Sequence, residues 1–371
     1  MAEAHLESGP KPEKYLIIGG AGFLGSYIVE ALLARGEKHV AVYDLYLPLD
    51  GEEKEGVAYY QGDVLDEEKL VEVLRKEAST TVFHTVSPIH GLDRAIYHTV
   101  NITGTKHILS ACRTAGTIYS FVFTSSTGAV WRGQPVRGAT EAEISLVEDE
   151  WDAYGYTKAV AERMVIGANA NGEGGMRTVA LRPCGMLGPG DKQGMWQLAE
   201  AYENGQYKYS IGKGDHLSDI TYVGNVADAH LLAADKLSPH ASPADRDAVS
   251  GEAFFITNGA PAPYNRYLAI SWGLMGADLS QMVVLPVFVG WLMTIFSIGW
   301  SRITGKNTLF SWYLYAVLTT EQWYSSEKAK KLLGWEPRVS LEEGCKLSNE
   351  WWKQKGAKQH AERLKLKSKV A

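Results

Sequence analysis

A tyrosine and a lysine stand four residues apart in Tyr154-Gly-Tyr-Thr-Lys158, downstream of a hydroxyl cluster, Thr124-Ser125-Ser126-Thr127. On a helix, positions i and i+4 share a face at about 6 Å, so a phenol and an ammonium at this spacing point into one site. A phenol, with a reference pKa of about 10, is a poor base near neutrality, and a cation fixed beside it favours the phenolate. The chemistry open to such a pair is proton transfer at an oxygen. The same spacing also arises on ordinary solvated helices, so the assignment depends on the elements that position the two side chains.

The first of those elements lies near the start of the chain. Tyr15-Leu-Ile-Ile18 reads as a buried strand, Gly19-Gly-Ala-Gly22-Phe23-Leu24-Gly25 as a glycine turn, and Ile28, Val29, Ala31, Leu32 and Leu33 as a helix. Such a turn lets backbone N–H groups at a helix start approach a pyrophosphate, which makes Gly19, Gly22, Phe23, Leu24 and Gly25 candidates for dinucleotide binding. The next strand, His39 to Tyr43, runs into Asp44, roughly twenty residues beyond the glycines, where a carboxylate binds an adenosine ribose 2′-OH. A 2′-phosphate is repelled there and no arginine follows Asp44, so NAD is expected rather than NADP. The competing reading is a strand-end aspartate that caps a turn.

Further strands are expected at Val57–Gln61, Thr81–His84, Ser120–Phe123 and Arg177–Leu181, alternating with helical stretches. This is the pattern of an α/β fold, a Rossmann-type doubly wound parallel sheet, in which ligands bind at the carboxyl ends of strands. Ser87 and the Ser125-Ser126 pair fall at such ends. His84 lies within an apolar strand and reads as a packed histidine rather than a base. The alternation fails beyond Asp191, so a nucleotide domain over 14–190 and a substrate lobe over 191–352 are expected, flanked by a loose tail, 1–13, and a basic tail, 353–371. Arg132 to Asp152 reads as a polar surface loop over the mouth of the site.

Composition narrows the partners. A net charge of -6 offers no field for a polyanion, so no nucleic-acid partner is expected. Cys112, Cys184 and Cys345 are scattered, with no metal-ligand spacing, which points to reduced thiols, no metal site and a cytosol-facing protein. Met282 to Trp300 carries no charge and approaches the roughly 20 residues needed to span a bilayer. It reads as a segment that spans or lies on a membrane, with a buried lobe helix as the alternative. Lys367-Ser-Lys369-Val-Ala371 resembles a cytosolic dilysine signal for return to the endoplasmic reticulum.

Several of these motifs together resemble the extended branch of the short-chain dehydrogenase/reductase superfamily, over about Tyr15 to Trp352. They are the Gly-x-x-Gly-x-x-Gly turn, Asn101-Ile-Thr-Gly-Thr105, Tyr154-x-x-x-Lys158, Arg182-Pro183 with Gly188-Pro189, Asp219-Ile-Thr-Tyr-Val223, and Leu333-Gly-Trp335-Glu-Pro337. His84 with Ser87-Pro88, Ile211-Gly212-Lys-Gly214 and Phe255-Ile-Thr-Asn258 make the 3β-hydroxysteroid dehydrogenase group the nearest match. The resemblance implies Tyr154 as acid/base, Lys158 as its partner and holder of the nicotinamide ribose, and Ser126 as the catalytic hydroxyl, with Ser125 as fallback. It also implies Asp63 on the adenine with Val64 beside it, Ser87 lining the cofactor, and Pro183 near the nicotinamide carboxamide.

Within that group the chain looks most like members that oxidise the 3β-hydroxyl of a 4α-carboxysterol or related triterpenoid and release carbon dioxide. The implied setting is the endoplasmic reticulum membrane, catalytic domain toward the cytosol, in a sterol C-4 demethylation complex, with a homodimer compatible. A dehydrogenase/isomerase that shifts a double bond, and a silent NAD-sensing scaffold, are the alternatives. Two departures stand out: Ile18 where a threonine is usual, which leaves one hydrogen bond of the turn unaccounted for, and Gly190 where relatives often carry a charge.

Overall fold

The computed structural model describes residues 13–48, 51–170, 175–304 and 310–370, with side chains as far as Arg363. Seven parallel strands form the main sheet: β1 (Tyr15–Ile18), β2 (Val40–Asp44), β3 (Val57–Gln61), β4 (Thr81–His84), β5 (Ser120–Thr124), β6 (Arg177–Pro183) and β7 (Glu252–Ile256). Their order is β7-β6-β5-β4-β1-β2-β3. Alternate residues of each strand face opposite layers. Ile17, Val42, Phe83, Val122 and Val179 meet helices α1 (Phe23–Ala34) and α5 (Val223–Leu237) on one face. Leu16, Ile18, Tyr43, Val82, Phe121 and Phe123 meet α2 (Glu67–Glu77), α3 (Thr105–Ala115) and α4 (Ala153–Gly167) on the other. Burial on both faces explains why these strands read as unbroken apolar runs. The strand order reverses between β1 and β4, which opens a crevice at their carboxyl ends.

Two elements packed on or into this sheet come from within residues 191–352. Helix α5 and strand β7 return to the sheet after the chain has left it at Pro183. The return is pinned by Asn225, whose amide donates to Asn258 Oδ1 at 2.9 Å and to the Val339 carbonyl at 2.8 Å. Trp335 packs beneath, fully buried, with its indole N–H on the Asn225 carbonyl at 2.8 Å.

The segment expected to be a surface loop is largely anchored. Val136–Ala139 pairs in parallel with Gln322–Tyr324 in a four-stranded sheet, and Trp131 and Val147 are buried. Its polar composition hid the buried Trp131 and Val147 and a strand whose partner lies far along the chain.

The uncharged stretch after Gln281 begins with a short strand, Val283–Leu285, and continues after Pro286 as helix α6 (Val287–Thr304). Its 18 residues are long and apolar enough to cross a membrane, and only 11% of them are buried within the protein. Phe296 is 74% and Ile303 81% exposed. Helix α7 (Trp312–Thr319) packs against α6, and the basic tail begins as a turn that continues into α8 (Ala357–Val370). That tail is docked at its start: His360 contacts Glu200 at 2.8 Å and the Arg363 guanidinium lies over Trp196. The side chains of the dilysine motif fall outside the described residues, as do residues 1–12 of the amino-terminal tail. Glu13 itself is tied down, accepting a hydrogen bond from Ser238 Oγ at 2.7 Å.

Candidate active site

The glycine turn joins β1 to α1 at the crevice. Gly19 has φ +88°, a conformation open to glycine, and a Cβ on Gly25 would overlap the Gly19 carbonyl. Helix α1 starts at Gly22 without a side-chain cap, so its first N–H groups are open to an anion. Phe23 stacks edge-on with Tyr27, and Leu24 is core, which fixes the helix start. Just past β4, Thr85 Oγ1 donates to the Ile18 carbonyl at 3.0 Å and lies 3.1 Å from that of Gly19.

Asp44, at the end of β2, accepts from Ala21 N in the turn at 3.0 Å and from Tyr46 N at 3.3 Å. Both contacts stabilise the carboxylate, while burial pushes its pKa up. The Asp63 carboxylate accepts from Leu65 N at 3.0 Å, and its carbonyl accepts from Tyr43 Oη at 2.9 Å, so β2 and the β3 end are tied together beside buried Val64. The open helix start and the two carboxylates fit an adenosine pyrophosphate. Pro183 ends β6 beside β5, buried, opposite Ile256 of β7.

Tyr154, Lys158 and Glu162 fall on one face of α4, turned toward the ends of β5 and β6. Asp152 caps this helix, accepting from Gly155 N at 2.8 Å. Lys158 is 2% exposed and donates from Nζ to the Thr124 carbonyl at 2.9 Å. Burial lowers its pKa to about 7. Ser126 Oγ accepts from Gly128 N at 3.0 Å. Burial pushes the Tyr154 pKa up, and the neighbouring Ser126 and Ser87 hydroxyls pull it down less strongly. In this state the lysine is spent on β5, and the phenol stays protonated near neutrality.

Ser125 is differently committed. Its hydroxyl donates to Glu162 Oε2 at 2.5 Å, and Glu162 is paired with Arg182 at 2.6 Å inside the protein. Removing one partner of such a buried pair costs about 3–5 kcal/mol. The two adjacent serines thus divide: Ser125 braces α4 against β6, and Ser126 faces Tyr154. Asn101 adds a second brace, donating to Thr157 Oγ1 at 3.0 Å from a π-helical stretch, His98–Gly104. His84 is packed, between Phe121 and Phe123, with Nε2 against Thr105 Oγ1 at 2.9 Å.

Around the open side of Tyr154 stand rings that are not among the site residues expected from the sequence. His90 lies 4.1 Å from the Tyr154 ring centroid and stacks on Tyr313 at 5.6 Å. Tyr313 in turn meets Trp131 at 5.6 Å and Trp151 at 6.2 Å. A cavity of about 200 Å³ follows, lined by Arg132, Gly133, Trp151, Trp312, Tyr315 and Ala316. The signal available in the sequence was the aromatic content of 131–151 and 312–315. Among the described residues, no three His, Cys, Asp or Glu side chains converge as a metal site, and the three cysteines are free and buried.

Residues 16–287 match the model of the 3-beta hydroxysteroid dehydrogenase/isomerase family. The chain is 35% identical to the sterol-4-alpha-carboxylate 3-dehydrogenase (decarboxylating) of Saccharomyces cerevisiae, over 92% of this chain and 98% of that one. It is 34% identical to the Homo sapiens protein of the same name, over 88% of this chain and 85% of that one. Among solved structures, an epimerase from Methanothermobacter thermautotrophicus superposes with a TM-score of 0.71 at 21% identity, covering 93% of each chain, a likeness of fold.

Proposed function

The chain belongs to the 3-beta hydroxysteroid dehydrogenase/isomerase family, and from that premise we propose that it oxidises the 3β-hydroxyl of a 4α-carboxysterol, or a related triterpenoid, with loss of the carboxyl as carbon dioxide. The observation that carries the reading is the meeting of Ser126 and Tyr154, with Lys158 one turn on, at the crevice where the glycine turn ends. NAD, when bound, supplies the acceptor for the hydride leaving C3. Tyr154 takes the hydroxyl proton, Ser126 holds the reacting oxygen, and Lys158 supplies the positive charge that favours the phenolate and holds the nicotinamide ribose. The 3-ketone then stands next to the carboxylate. Carbon dioxide leaves because the electrons of the broken carbon–carbon bond enter that carbonyl as an enolate, which takes up a proton at C4.

Asp44 supports NAD over NADP: its carboxylate beside the turn repels a 2′-phosphate. Asp63 and Val64 flank the adenine, and Ser87 and Pro183 lie toward the nicotinamide. Residues 191–352, apart from α5 and β7, form the substrate lobe. Helix α6 docks this lobe on the endoplasmic reticulum membrane from the cytosolic side, where a lipid-soluble substrate is concentrated. A sterol C-4 demethylation complex, and a second copy of the chain, are the partners in this reading.

The test is oxidation of a 4α-carboxysterol by the full chain in detergent, followed as NADH. Wild type turns over; Tyr154→Phe loses on the order of 10³-fold in kcat while binding NAD as before. Oxidation retained by Tyr154→Phe contradicts the assignment.

A further inference from the structure

The buried and half-buried histidines of this chain divide into two kinds. His84 is bonded to Thr105, His230 is held by Thr124 Oγ1 and the Val226 carbonyl, both at 2.8 Å, and His98 is paired with Glu150 at 2.9 Å. His90 is not: among the described residues neither of its ring nitrogens has a hydrogen-bond partner. Its placement is nonetheless fixed. Tyr97, itself buried, donates from Oη to the Ile89 carbonyl at 2.8 Å and accepts from Leu92 N at 3.2 Å, which clamps the turn on both sides of His90. The imidazole is thereby held between Tyr154 and Tyr313 with both polar atoms unspent.

Substrate geometry says what belongs there. With O3 against the Tyr154 phenol, a carboxylate on the neighbouring carbon lies within about 4 Å of O3, from bond lengths alone. An anion brought into this enclosed place needs a cation or strong donor. Ser87, Ser126, Tyr97 and Tyr313 are neutral, and Asp152 at the head of α4 is itself an anion. Lys158 is turned toward the Thr124 carbonyl. We infer that His90 reads the 4-carboxylate of the substrate, pairing with it beside the reacting carbon and making the enzyme select carboxylated over uncarboxylated 3β-hydroxysterols. Burial and Lys158 keep the free imidazole neutral, opposed by Asp152, so the full attraction appears when the carboxylate arrives. The contact ends with carbon dioxide loss, so the ketone product lacks it.

This inference rests on the proposed function. It is tested with His90→Phe, which keeps the ring plate between the tyrosines, and His90→Gln, which keeps a donor. The full chain in detergent with NAD is given a 4α-carboxysterol or the same sterol without the carboxyl, and the ratio of the two kcat/KM values is read. Wild type favours the acid. In His90→Phe the ratio collapses by roughly tenfold or more, chiefly through KM for the acid, and His90→Gln falls between. An unchanged ratio in His90→Phe, or equal losses on both sterols, overturns the inference and leaves His90 as packing on Tyr154. Should His90→Phe fail to bind NAD, the ratio in His90→Gln decides in the same way. A wild-type enzyme that oxidises no carboxysterol is a different failure, that of the proposed function.

Discussion

On the sheet side of Tyr154, directional bonds fix nearly every polar group: Lys158 on the Thr124 carbonyl, Ser126 under Gly128 N, Ser125 on the Glu162–Arg182 pair. On the opposite side the contacts are ring faces, His90, Tyr313, Trp131 and Trp151, at centroid distances of 4.1–6.2 Å. Hydrogen bonds fix where a proton goes. Ring faces set which apolar body fits, and tolerate sliding. The two halves are also supplied differently: the bonded side comes from strand ends and α4, the aromatic side from segments as distant as α7. One helix residue, Tyr154, belongs to both.

The largest effect separating the halves is expected at Lys158. Lys158→Met should lower kcat by roughly 10²–10³-fold, with sterol KM changed far less. The sign of its pH dependence follows from the phenol. Catalysis requires the phenolate, and without the ammonium Tyr154 ionises at higher pH, so the rising limb of kcat against pH moves upward. A variant with the wild-type limb would show that the cation does not act through Tyr154.

A smaller effect is expected across the ring. Tyr313→Leu removes the plate behind His90 and one wall shared with Trp131 and Trp151. Sterol KM should rise roughly five- to tenfold, with kcat within about threefold of wild type. A fall in kcat at constant KM would place Tyr313 on the bonded side, and the comparison would fail.

The bonded side was largely legible because its signals are local. Gly19 and Gly25 answer to a backbone angle and a close approach within one turn, Asp44 closes its own strand, and Tyr154 and Lys158 need one helix. The parallel sheet followed from apolar runs buried on both faces. What local pattern could not show was pairing at a distance. Val136–Ala139 is a strand because Gln322–Tyr324 runs beside it, and the polar residues between Arg132 and Asp152 suggested a loop instead. His90 was not legible because its neighbour Tyr313 arrives from α7, whereas His84 is marked by the strand that buries it. The phenol's environment also differs from the simple expectation: burial outweighs the groups that lower its pKa, and Lys158 points to Thr124.

In the proposed reaction one site couples oxidation at C3 to loss of the neighbouring carboxyl. The direct measurement is stoichiometry: NADH and carbon dioxide followed together as the full chain consumes a 4α-carboxysterol labelled in the carboxyl carbon. One carbon dioxide per NADH, in step from the first turnovers, is the predicted result. NADH with the label retained in the ketone, or no NADH at all, would contradict it.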